Sequence, residues 1–127
     1  MIAKTPISAS RIRKVPPGFG WVDHRLVRDR HIERCSHAAA ALYLFLITVG
    51  DGQGLSYYGD RSIRQRLDMT DDVLRVARDN LISAGLIAWR APLYQVLSLQ
   101  PTRVVRDGDI GPISLGDIME KAMGGRP

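Results

Sequence analysis

From Ala38 to Gly50 the chain runs without a charge. The alanines and leucines of His37–Val49 have high helix propensity, and Ser36 stands where an N-capping hydroxyl is wanted. Leu42, Leu46 and Val49 share one face of that helix, while Tyr43, Phe45 and Ile47 make its other faces apolar too. A helix apolar nearly all round is buried on more than one side, so it is either the central helix of the domain or a subunit contact. Spanning a bilayer takes roughly 20 apolar residues, more than this run supplies, and no membrane partner is expected. The chain has 127 residues, about the modal size of a single domain, which predicts one compact core with short tails.

Beyond Val49 the chain is punctuated at short intervals. Three glycines in Gly50-Asp51-Gly52-Gln53-Gly54 predict a turn, and Leu55 to Tyr58 has room for only a short strand. Asp60 is placed to cap a helix from Arg61 to Leu67, with Ile63 and Leu67 on its buried face and Arg61, Arg64 and Arg66 largely outside. Thr70 caps again, and the helix from Asp71 to Ala84 buries Leu74, Ala77 and Leu81 before Gly85 supplies a left-handed stop. Leu86 to Arg90 and Tyr94 to Leu99 then read as a hairpin about Ala91-Pro92-Leu93, with Trp89 and Tyr94 a cross-strand packing pair rather than a base-stacking platform.

The fold class is therefore mainly α with a small β-hairpin (α+β), in the order helix, strand, helix, helix, strand, strand. That order describes a winged helix-turn-helix. Residues 36–99 resemble the winged-helix family in detail, in Gly54-Leu55-Ser56-Tyr57-Tyr58, in the helix from Ser62-Ile63 to Leu67, and in Leu81-Ile82-Ser83-Ala84-Gly85-Leu86-Ile87. Within it they look like modules of phage and plasmid replication initiators and DnaD-type primosome proteins. The resemblance covers about half the chain and implies a fold more than a function, because the family includes regulators, initiators and protein-binding modules.

Charge locates the expected partner. The formal net charge is +5, and residues 1–34 hold eight basic against three acidic residues, whereas 35–99 and 100–127 each balance. Residues 1–18, closing on Pro16-Pro17-Gly18, read as a basic extended arm in which Lys4, Arg11, Arg13 and Lys14 meet phosphates. In a DNA-binding winged helix the second helix of the pair enters the major groove. Its expected outward set here is Asp71, Asp72, Arg75, Arg78, Asp79 and Ser83, more acidic than phosphate contact wants. Arg75 and Arg78 either read bases or pair with those acids at helical spacing, and the acids also suit the helix dipole. Arg61, Arg64, Arg66 and the wing residue Arg90 complete the expected DNA-binding set.

Other chemistry has little support. His24, His31, Cys35 and His37 are the only metal-ligand cluster, loosely spaced and without CxxC or HExxH, so no metal and no cofactor is expected. No GxxxxGK[ST] loop occurs, and no nucleophile stands with a base. With one cysteine and no apolar leader, a cytoplasmic protein is expected. Residues 19–99 form the expected domain and 100–127 a tail. A short helix over 114–123, with Leu115, Ile118, Met119 and Ala122 on one face, reads either as a frayed end or as a peptide docking into a protein partner.

These observations predict a non-enzymatic protein of bacterial or mobile-element type that binds duplex DNA, in replication, transcription control or mobile-element maintenance. The competing class is an interaction subunit of a larger protein or nucleoprotein machine, with the acidic helix facing protein. A homodimer is expected through the spare apolar area at Tyr43, Phe45 and Ile47 or the adjacent N-terminal segment, which alternatively covers that area within the chain.

Overall fold

The computed structural model describes residues 4–101. Its regular elements are α1 (Arg25–Arg28), α2 (His37–Val49), β1 (Leu55–Tyr57), α3 (Asp60–Leu67), α4 (Asp71–Ser83), β2 (Ile87–Arg90) and β3 (Leu93–Val96), with 3-10 turns at Ala9–Arg11 and His31–Arg34. The expected tail after Pro101, including 114–123, lies outside the described residues. The class is α+β, with helices against a three-stranded antiparallel sheet in the order β1-β3-β2. Leu55 pairs with Gln95 on one side of β3, and Ala88 pairs with the same Gln95 on the other.

Local chemistry explains most boundaries. Ser36 Oγ accepts from the Ala39 amide at 3.1 Å and starts α2, and Thr70 Oγ1 accepts from the Val73 amide at 3.2 Å and starts α4. α4 ends in a Schellman arrangement, with the Gly85 amide on the Ile82 carbonyl and the Leu86 amide on that of Leu81, both at 3.0 Å. Gly85 takes φ +74° there. After α2 the Asp51 carboxylate accepts from the Gln53 and Leu55 amides at 2.8 and 2.9 Å, and these bonds hold its pKa below the usual carboxylate range. Gly54 then runs at φ +81°, where a Cβ would lie 2.7 Å from the Val96 carbonyl oxygen.

Several boundaries differ from expectation, two of them by more than a frayed end. Asp60 does not cap α3: Gly59 precedes the helix, and Asp60 is its first residue, its carboxylate engaged by Arg78 instead. β3 begins at Leu93, inside the expected turn, where Leu93 pairs with Arg90, and it ends at Val96, short of Leu99. Leu99 is nevertheless buried in the core.

α2 packs most extensively on α4, and Leu42, Leu46, Ile63, Leu74, Leu81, Leu86 and Ile87 fill the space between helices and sheet with almost no solvent contact. Leu26 of α1 joins them. The expected oligomer surface is largely occupied: Tyr43 is buried, Phe45 meets Tyr58 edge-on with centroids 5.0 Å apart, and the Gly20 backbone lies over the half-buried Ile47. The chain before α2 and the end of β1 supply cover that the helix pattern alone could not show. Leu44 is the large apolar side chain that α2 leaves exposed. Among the described residues, no helix is long and apolar enough to cross a membrane.

The two positive-φ glycines separate backbone strain from steric fit. Nothing lies within 4 Å of a Cβ at Gly85, so Gly85→Ala should cost about 1 kcal/mol from backbone strain alone. Gly54→Ala meets the Val96 carbonyl as well and should cost clearly more. Urea unfolding with an unchanged m-value checks the order, and equal losses would contradict it.

Candidate nucleic-acid interface

Arg78 occupies the middle of α4, and the expectation that it faces DNA is not met: it is only 4% exposed. Its Nη1 donates to Asp60 Oδ1 at 2.8 Å and to Tyr94 Oη at 2.9 Å, and Nη2 donates to Asp60 Oδ2 at 3.4 Å. Its guanidinium carbon stands 3.9 Å from the ring centre of Trp89. Trp89 and Tyr94 face each other across β2 and β3 with centroids 6.2 Å apart, as a packing pair. Burial works against the charge on Arg78, but the bonds to Asp60 and Tyr94 outweigh it and raise its pKa. Burial also pushes the Tyr94 hydroxyl up, with Arg78 partly opposing. Arg78 thus ties α4 to the start of α3 and to the hairpin, leaving no donor directed at a groove.

The rest of α4 is similarly committed or unsuited to phosphate. Arg75 Nη1 donates to Asp71 at 3.1 Å and its Nη2 bonds to Asp72, while Arg64 of α3 lies 3.9 Å from Asp71. Of the two readings of Arg75, pairing along the helix is the one observed. Asn80 faces the other way: its Oδ1 accepts from the Ser36 amide at 2.7 Å and its Nδ2 donates to the Arg34 carbonyl at 2.8 Å. No local signal marks this clasp, since its partners lie more than forty positions away. Outward on α4 stand Asp72, Val73, Val76, Asp79, Ile82 and Ser83. The exposed apolar members follow from helical counting against the buried Leu74, Ala77 and Leu81 and were not among the expected site residues.

Positive charge without an acidic partner lies elsewhere. Arg61 and Arg66 are exposed on α3 and Arg90 is exposed at the end of β2, with no ion pair among the described residues. The arm carries Lys4, Arg11, Arg13 and Lys14, all exposed and likewise unpaired among the described residues, and no acid precedes Asp23. By contrast, three arginines between the arm and α2 sit beside acids, Arg25 on Asp23 at 2.7 Å, Arg28 near Asp29 and Arg30 near Glu33, while the exposed Arg34 has no ion pair among the described residues. The basic surface among the described residues is therefore an arm plus four separated arginines, Arg34, Arg61, Arg66 and Arg90, with α4 excluded.

Other groupings are chemically quiet. Arg34 bonds to His31 Nδ1 at 3.0 Å, and burial pushes the Cys35 thiol pKa up, away from the thiolate. Among the described residues no group of three His, Cys, Asp or Glu is placed to hold a metal. A cavity of about 500 Å³ lies between Phe19-Gly20-Trp21, the end of α2 and the loop through Gly52, with the Asp23–Arg25 pair in its wall.

Both arginine–aspartate clusters make measurable contributions. Arg78→Ala strands the buried Tyr94 hydroxyl and removes the cation from Trp89, and should cost about 2–3 kcal/mol in urea unfolding. Arg78→Lys should recover less than half, because an ammonium cannot span both partners. The Arg25 side chain beside Asp23, helped by its backbone amide, holds the Asp23 carboxyl down to about 2 from 3.8. Its depressed pKa favours the folded state above the ordinary carboxylate range, and that contribution is lost as pH falls through about 2. An NMR titration should give that midpoint, and Arg25→Gln should move it back toward 3.8. No protein-family model, curated protein or solved structure matches this chain, so the reading of its surface rests on its own geometry.

Proposed function

We propose that this chain is a non-enzymatic winged-helix protein that binds duplex DNA, chiefly through the phosphate backbone. The element order from α2 through β3, with two capped helices beside a three-stranded sheet whose last two strands make a hairpin, supports the winged-helix reading. The observation that carries the DNA reading is the segregation of unpaired positive charge onto the exposed arm, at Lys4, Arg11, Arg13 and Lys14. Arg61, Arg66 and Arg90 are further phosphate contacts, and Arg64 contributes beside its long contact with Asp71. Arg75 and Arg78 are withdrawn from the proposed DNA-binding set because both guanidiniums are engaged.

Such a protein neutralises phosphates and releases counterions, so its affinity depends steeply on salt and little on sequence. A flexible basic arm and a wing arginine follow the backbone or enter a minor groove. Service in replication, transcription control or mobile-element maintenance, inside a bacterial cytoplasm, belongs to the same proposal. The acidic and apolar exterior of α4 favours a second role, as a docking subunit within a larger nucleoprotein assembly.

Titration of a labelled duplex across a salt series tests the reading. Deleting residues 1–14 should weaken binding to any sequence and reduce the slope of log K against log salt by about 0.9 for each phosphate the arm had neutralised. An unchanged affinity and slope would remove the arm from the mechanism. Failure of the intact chain to bind duplex at low salt would end the DNA reading.

A further inference from the structure

α4 presents an exterior that neither the core nor DNA explains. Val73, Val76 and Ile82 are exposed along it, Val76 at 64%. Asp71, Asp72 and Asp79 stand among them with Arg75 as the one cation of the set, and Asp79 has no ion pair among the described residues. The arm has the opposite character on the same pattern. Every residue from Lys4 to Val22 is exposed, including Ile7, Ile12 and Val15, the last two at 56% and 76%. These apolar side chains cover no part of their own core, and the cations beside them have no acid within the segment. Exposed apolar groups gathered with charge of one sign mark a contact surface.

We propose that the arm of one copy lies across the α4 exterior of a second copy. Charge complementarity selects this occupant: the arm is purely basic, and the helix face carries an excess of acid. Pro16-Pro17 stiffens the base of the arm. Reciprocal exchange of arms makes the contact isologous and closes it as a two-fold dimer. This dimer does not depend on the DNA reading, and α4 and DNA would compete for the same arm cations.

Sedimentation of the full chain at tens of micromolar in low salt tests it. The wild type should sediment as a dimer that loosens with added salt. Two charge reversals, Asp72→Lys with Asp79→Lys and Arg11→Glu with Arg13→Glu, change only exposed side chains, and circular dichroism checks that both proteins fold. Each alone should weaken self-association at least tenfold. Mixed in equal amounts, they should associate again, because the unaltered basic arm of the first variant then meets the unaltered α4 of the second. A monomeric wild type would overturn the proposal, as would a dimer indifferent to either reversal, which would place the contact elsewhere. A mixture no stronger than its separate components would overturn it too.

Discussion

At the junction of two helices and a hairpin, one guanidinium is held out of water. Arg78 reaches from the middle of α4 to the carboxylate that begins α3 and to a tyrosine hydroxyl on β3, with the Trp89 ring against its face. A charge removed from water must recover its hydration from fixed partners, so the positions of those partners are constrained together. The start of α3, the stagger of the hairpin and the burial of Tyr94 all meet at this group. Asp60 stays partly open to solvent, which limits the electrostatic gain but also spares the pair the full cost of burying two ions.

A second link closes the other side of the molecule. Asn80 bonds to backbone on both sides of the α2 N-terminus and thereby sets α2 against α4. Buried leucines fill the space between these helices but are non-directional, whereas Asn80 has a donor and an acceptor that must both be met. Arg78 and Asn80 point to different neighbours from one helix, so α4 is secured to α2, α3 and the hairpin by polar contacts as well as by its apolar stripe. A helix used in this way has little polar capacity left for reading a groove.

The charge distribution follows the same division. Most arginines within the fold are matched to acids nearby in sequence or space, and among the described residues the cations without an ion pair stand on the arm and on Arg34, Arg61, Arg66 and Arg90. Matched pairs on a surface contribute little energy, but they remove net field from the faces where they lie. The remaining field is concentrated on a segment whose every described residue through Val22 is exposed. An anionic partner would meet the arm before it met the domain.

Much of the fold was legible in the sequence because the signals are local. Ser36 and Thr70 cap through a hydroxyl three residues away from its donor, Gly85 takes the left-handed stop, and Leu74, Ala77 and Leu81 recur at helical spacing. The roles of Asp60, Arg78 and Tyr43 were not legible there. An aspartate before a helix reads as a cap until an arginine from the next helix claims its carboxylate. An arginine midway along an amphipathic helix reads as exposed until a hairpin closes over it. The apolar faces of α2 leave a dimer contact and cover by the N-terminal segment both open, and Gly20 and Tyr58 laid against them decide for cover. By itself the sequence determined where most helices and strands begin and end, since caps, turns and periodicity act over a few residues. Only the tertiary structure decided which charges are spent inside the molecule and which face outward, because burial and ion pairing depend on groups brought together from distant parts of the chain.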